Sequence, residues 1–229
     1  MNTSIVASNA PVTLVGGGET TPQDIHKALT LAPLCVAADG GADVALAAGV
    51  VPEAVMGDFD SLSHAARAEI PADRQHPIAE QDSTDFEKCL TRIAAPVILG
   101  VGFLGARVDH QLAVFHSLVK YPDRPCILLG AHEVVCLAPP RLHLPTEAGD
   151  AVSLFPMGEV TAQSTGLAWP LEGLSFSPLR LIGTSNCAEG PITLTVQAPH
   201  MLLILPRRLM PALLTALADP DAARWPARA

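Results

Sequence analysis

Five short apolar runs along the first 130 residues constrain the fold of this chain more than any other feature. They are Pro11-Val12-Thr13-Leu14-Val15, Leu34-Cys35-Val36-Ala37-Ala38, Ala54-Val55-Met56, Pro96-Val97-Ile98-Leu99 and Pro125-Cys126-Ile127-Leu128-Leu129. None alternates apolar with polar, so each reads as a strand buried on both faces. Between them lie helical patterns, one starting at Pro22 with Ile25, Leu29 and Ala32 on one side, another over residues 42–49. Continuous apolar strands alternating with helices predict a parallel, Rossmann-like α/β sheet covered on both faces.

The pattern changes near Ala138-Pro139-Pro140. Beyond it come short β-like runs, Ala151–Phe155, Val160–Ala162, Ile192–Val196 and Met201–Leu205, separated by Gly, Pro and Ser turns. This predicts a small all-β, sandwich-like domain, closed by a helix over Arg208–Ala218 and a Pro/Ala tail. The expected domains are 1–138, an α/β catalytic domain, and 139–229, a β domain. No internal repeat at a fixed period is present.

Charge is scarce, at 16% of 229 residues, and the lysines are Lys27, Lys88 and Lys120. Against that background Gly57-Asp58-Phe59-Asp60-Ser61 and Asp82-Ser83-Thr84-Asp85-Phe86-Glu87-Lys88 concentrate four aspartates and a lysine. Carboxylates held together repel one another unless a cation joins them. Oxygen ligands suit Mg²⁺, which commonly shares its coordination sphere with substrate phosphates. In open α/β sheets ligands bind at the carboxyl ends of the strands. Asp39 follows the second run, Asp58 and Asp60 the third, and Asp109 comes after the run ending near Val101, so the acidic motifs share one sheet edge.

Asp82 or Ser83 is expected to cap a helix whose apolar face is Phe86, Cys89, Leu90 and Ile93, with Asp85 in its first turn. Lys88 then falls on the same side as Asp85, where it reaches a phosphate or forms an exposed intrahelical ion pair. Gly100-Val101-Gly102-Phe103-Leu104-Gly105 matches G-x-G-x-x-G, but the acidic residue that a dinucleotide site needs at the end of the next strand is missing. Its continuation, Arg107-Val108-Asp109-His110, offers a guanidinium fork, a further carboxylate, and a histidine whose role the sequence leaves open.

A net charge of −9 argues against a nucleic-acid groove. No lysine follows a glycine, which excludes a P-loop, and neither H-E-x-x-H nor G-x-S-x-G occurs. Five cysteines without a C-x-x-C pair fit a reducing compartment. With no basic, apolar leader in Met1–Pro11 and no apolar run of membrane-spanning length, a cytoplasmic protein that does not enter a membrane is expected. In the β half, Trp169 within Gly166-Leu167-Ala168-Trp169-Pro170-Leu171 serves either as a core anchor or as a stacking plate for a planar ligand.

These segments, in order, resemble the thiamine pyrophosphokinase family. The matching elements are Ala38-Asp39-Gly40-Gly41-Ala42, Gly57–Ser61, Gln81–Lys88, Gly105-Ala106-Arg107-Val108-Asp109-His110, Gly166–Leu171 and Thr184-Ser185-Asn186. The resemblance implies transfer of pyrophosphate from ATP to the hydroxyl of thiamine, with Mg²⁺, by a homodimer whose sites lie at the subunit interface. It implies Asp58, Asp60, Asp82 and Asp85 at the metal and phosphates, with Lys88, Arg107 and Asp109 completing the catalytic set. Asp39, Gly40, Gly41, Gly102, Gly105 and His110 would border ATP. Trp169 would stack on thiamine, and Ser185 and Asn186 would contact its aminopyrimidine. Ala168, Val114 and Cys187-Ala188 depart from the residues usual at those positions. Rival readings are a pyrophosphokinase for another heterocycle such as a pterin, a D-x-D glycosyltransferase, and a non-catalytic nucleotide or thiamine sensor.

Overall fold

The computed structural model describes residues 4–228, which divide into two compact units. The first comprises residues up to Ser117 together with Leu128–Ala131, and the second Leu118–Ile127 with everything from His132 onward. The division thus falls ahead of the compositional change at Ala138.

In chain order the first unit carries β1 (Val6–Ala7), β2 (Val12–Val15), α1 (Pro22–Leu31), β3 (Leu34–Ala38), α2 (Gly41–Ala47), β4 (Ala54–Gly57) and α3 (His64–Glu69). These are followed by β5 (Gln75–Pro77), α4 (Asp85–Arg92), β6 (Ile93–Ala94), β7 (Ile98–Val101) and α5 (Val108–Lys120), whose residues from Leu118 on belong to the second unit. β8 (Cys126–Leu129) lies across the division. The pairs β1–β6, β2–β7, β3–β4 and β4–β5 are all parallel, with Val12 opposite Ile98 and Val36 opposite Ala54. β2, β4, β7 and β8 are buried at every residue, which is why they read as unbroken apolar runs. One cluster of the core joins Ala37, Val55, Leu62, Ala66 and Ile70, and Phe59 lies against it.

The second unit continues with β9 (Glu133–Leu137), β10 (Arg141–Leu144), β11 (Ala151–Pro156), β12 (Val160–Leu167), β13 (Ser175–Phe176), β14 (Gly183–Val196), β15 (Met201–Pro206) and α6 (Met210–Ala218). Here the pairings are antiparallel. The long β14 belongs to two ladders: its first half pairs with β11, and its second half with β10 and β12. β12 alternates buried and exposed residues along most of its length, as a strand with one wet face should.

Two expectations about helix ends need correction. Thr84, not Asp82 or Ser83, caps α4: its backbone is extended and its hydroxyl accepts a hydrogen bond from the Glu87 N–H at 3.2 Å. The last α-helix starts at Met210 rather than Arg208. Residues 207–209 form a 3₁₀ turn after Pro206, and the Arg208 guanidinium is drawn to Asp150 and Glu147. Among the described residues all five cysteines are free, and no helix is long and apolar enough to cross a membrane.

Candidate active site

The carboxyl ends of β2, β3, β4 and β7 and the start of α4 border a cavity of about 530 Å³. Asp39 is part of its wall. The chain leaves β3 at Ala38 and turns at Asp39 through a left-handed backbone, φ 44°, which costs an L residue strain. The turn is fixed from several sides: Asp39 N–H donates to Met56 O at 2.9 Å, Asp39 O accepts from Ala42 N–H at 3.0 Å, and Asp39 Oδ2 accepts from Ser61 N–H at 3.0 Å. Gly57 makes room for it, because a Cβ there would lie 2.7 Å from the Asp39 Cβ.

The β4 loop brings Asp58 and Asp60 to the same place through a second left-handed residue, Phe59, φ 65°. Carboxylate oxygens of Asp39, Asp58 and Asp60 lie within 4.8 Å of one another. Asp39 is only 2% exposed, and its Oδ1 is buried with no hydrogen-bond partner. Burial raises its pKa above the ordinary carboxylate value, and the negative charges of Asp85, Asp60 and Asp58 add to the rise despite the Ser61 hydrogen bond. An orphaned buried oxygen beside two further carboxylates is what a hard divalent cation requires of its ligands. The residues present therefore fit Mg²⁺.

Lys88 balances this charge. Its side chain is 2% exposed, and Nζ lies 3.3 Å from Asp58 Oδ2 and 3.0 Å from Asp85 Oδ1. It is thus a buried bridge from α4 to the β4 loop and not an exposed intrahelical pair. Burial acts to lower its pKa, but hydrogen bonds and charges from Asp85 and Asp58 outweigh burial and hold it above the ordinary lysine value. Burial likewise pushes Asp58 upward. The Asp60 N–H, Lys88 and the Gln81 amide together overcome that and keep Asp58 below its ordinary value.

The other predicted residues divide. Gly40, Asp85, Gly102, Gly105, Arg107 and His110 line the cavity with Asp39, Asp58 and Lys88. Arg107 and Asp109 are exposed and form an ion pair at 2.6 Å at the start of α5. Asp82 is exposed on the loop before α4 and does not line the cavity, and Gly41 is packed against Val15 O. Val114 is buried and contributes to the wall.

Two elements of the wall escaped the reading of the sequence, Gly16-Gly17-Gly18 and Phe103. The glycines close β2 as Asp39 closes β3, so strand-end position was the available signal. Gly102, φ 78°, meets this loop so closely that a Cβ on it would lie 2.6 Å from Gly16 O. Phe103 stacks edge-on with Phe86, ring centroids 4.8 Å apart, and ties the glycine loop to α4.

In the second unit, Trp169 is 62% exposed, while Asn186 is buried. Ser185 has a left-handed backbone, φ 64°, and its N–H donates to Ser153 Oγ at 2.9 Å. The Asn186 side chain is engaged by the backbone of Trp169.

Two family models match the chain: "Thiamin pyrophosphokinase, catalytic domain" over residues 25–128, and "Thiamin pyrophosphokinase, vitamin B1 binding domain" over 141–201. The chain belongs to the thiamine pyrophosphokinase family. Thiamine pyrophosphokinase 2 of Arabidopsis thaliana is 29% identical over 174 residues, which is 66% of this chain and 64% of the relative. Thiamine pyrophosphokinase 1 of Oryza sativa subsp. japonica is 31% identical over 161 residues, 60% of each chain. The chain thus spans less than two thirds of the length of these curated relatives. The crystal structure of thiamin pyrophosphokinase from Geobacillus thermodenitrificans is 26% identical with a TM-score of 0.71, covering 86% of this chain and 96% of that one. The yeast enzyme shares the fold, with a TM-score of 0.72 at 16% identity, over 90% of this chain and 88% of its own. Within the family's catalytic segment, 25–128, lie all the carboxylates of the cavity.

Asp39→Asn removes a buried charge while keeping an oxygen for the Ser61 N–H. In metal-free protein it is expected to stabilise by about 1 kcal/mol, in the range common when a function-bound strain is relieved. That corresponds to a melting midpoint about 2–4 °C higher for a chain of this size, measured by thermal denaturation in EDTA.

Proposed function

We propose that this chain transfers the terminal pyrophosphoryl group of ATP to the hydroxyl of thiamine, forming thiamine diphosphate and AMP. The observation that carries this is Asp39, a buried carboxylate with an unpartnered oxygen that lines the cavity beside Asp58 and the buried Lys88, with carboxylate oxygens of Asp39, Asp58 and Asp60 within 4.8 Å of one another. Family membership supports the reading. Residues 1–138 are read as a Rossmann-like catalytic domain and residues 139–229 as a sandwich-like thiamine-binding domain, for which the two ladders of β14 speak. We read the enzyme as a cytoplasmic homodimer.

Asp39, Asp58 and Asp60 would hold Mg²⁺, which would supply charge neutralisation at the phosphates. Lys88 holds Asp58 below its ordinary pKa and, pairing with Asp85 as well, ties the β4 loop to the start of α4. Gly17, Gly18 and Gly105, none of them buried, line the cavity wall, where a polyphosphate can approach the backbone closely. Arg107, held by Asp109, places positive charge beside it. The hydroxyl oxygen of thiamine attacks the β-phosphorus in line, the bond from that phosphorus to the bridging oxygen of AMP breaks, and the hydroxyl proton passes to a carboxylate of the site. Positioning and charge compensation supply most of the rate. Trp169 provides an apolar face for the thiamine ring.

The test is incubation of the chain with ATP, Mg²⁺ and thiamine. AMP and thiamine diphosphate are expected in equal amounts, with none when EDTA replaces the metal. Product formed with a pterin and not with thiamine would overturn the substrate, and hydrolysis of ATP without acceptor would overturn the reaction.

A further inference from the structure

In the second unit, Trp169 combines an exposed side chain with a firmly held backbone. The indole-bearing residue is 62% exposed, whereas Leu167 and Leu171 on either side are buried. Asn186 holds Trp169 at both ends of its peptide backbone: Oδ1 accepts from Trp169 N–H at 3.2 Å, and Nδ2 donates to Trp169 O at 2.7 Å. The same Oδ1 accepts from Cys187 N–H at 2.8 Å. Ala168 N–H donates to Cys187 O at 2.8 Å, and Leu171 N–H donates to Ser164 Oγ at 3.1 Å. Asn186 itself is 6% exposed, so little of its amide faces outward.

We propose that Asn186 is a positioning residue for the ring-binding tryptophan and does not itself read the aminopyrimidine. This rests on the reading of Trp169 as the thiamine plate. An amide that satisfies both backbone groups of Trp169 does for this loop what a strand neighbour would do, fixing φ and ψ without burying the side chain. The indole is then presented in its binding geometry before ligand arrives, and the ordering cost is met in folding instead of binding. Freeing the backbone of one residue corresponds to about 5–30-fold in affinity.

Asn186→Asp retains the two acceptor bonds but loses the donor and sets a carboxylate against Trp169 O. Asn186→Ala removes all three bonds. Both are compared alone and combined with Trp169→Ala, reading KM for thiamine, kcat, and the melting midpoint. The expected result is a rise in KM of about 5–30-fold, kcat within about twofold, and no further rise in the Trp169→Ala background, because residues acting through one another are not additive. Effects that multiply in the double variant would mean direct contact between Asn186 and ligand and would overturn the proposal. A second arm needs no substrate. With Trp225→Phe removing the other tryptophan, the fluorescence anisotropy of Trp169 in ligand-free protein is expected to fall in Asn186→Asp. Unchanged anisotropy in that folded variant overturns the proposal. If the wild-type chain releases no AMP with thiamine, the proposed function fails, and the anisotropy alone decides the role of Asn186.

Discussion

Asp58→Asn is expected to lower thiamine-dependent AMP release by at least about 10³-fold, a loss at the upper end of what removal of one preorganised electrostatic group produces. Asp58 is the carboxylate that joins Lys88 to the acidic cluster. Its Oδ2 accepts from Lys88 Nζ and from the Gln81 amide, and its Oδ1 faces the Asp60 N–H. It also lies within the acidic cluster of Asp39 and Asp60. An asparagine has the same shape and keeps an oxygen for the Asp60 N–H, but it offers a divalent cation a neutral dipole in place of a charge. The fold is expected to persist, because the loss of the Lys88 pairing is offset by removal of one negative charge beside Asp39. Two measurements check this, AMP release at saturating ATP and Mg²⁺, and a melting midpoint within about 3 °C of wild type, roughly 1 kcal/mol for a chain of this size. Near-normal turnover would remove Asp58 from the site.

The strands that hold this loop in place could be read directly, because β2, β3, β4, β7 and β8 lie in an interior where both faces reject polar side chains. β5 could not. Gln75, His76 and Pro77 are at most half-buried, so no apolar signal marks them, and their pairing with Val55, Met56 and Gly57 is a tertiary fact. The aspartates were visible as a group through their place at strand ends. Their relative importance was not, because it depends on backbone turns at Asp39 and Phe59 that only the packed loops sustain. Hence Asp39, grouped with the ATP-binding residues, emerges as the buried carboxylate, while Asp82, assigned to the metal, is exposed outside the cavity. Helical spacing reveals that Lys88 can meet Asp85. It cannot reveal Asp58 as the second partner, thirty positions away in the chain. The same limit applied to Asn186, whose partner Trp169 lies on a separate loop.

Lys88→Met should be the most destabilising single change at the site. Methionine fills nearly the same volume, so packing is kept and the effect isolates the charge. Removing one partner of a fully buried ion pair costs about 3–5 kcal/mol. Here Asp85 is 36% exposed and Asp58 18%, so water recovers part of the loss, and about 2–3 kcal/mol is expected. That lowers the melting midpoint by roughly 5–10 °C. The pH dependence separates this cause from a packing defect. Asp58 is held below its ordinary value in the wild type, with Lys88 among the causes, so its contribution is present above pH 3.8 and lost as pH falls through its lowered folded value. Lys88, held above its ordinary value, contributes below about 10.5 and loses that contribution only at higher pH. The difference between wild type and Lys88→Met is therefore expected to be full near neutrality and to close as the solution is acidified below pH 3.8. Asp39, whose carboxyl already sits above its ordinary value, takes up its proton earlier on the same descent, which relieves the variant further. A difference that stays constant from pH 7 to pH 3 would mean that Lys88 matters for its hydrocarbon stem and not for its charge, and would remove the counter-ion from the account of this site.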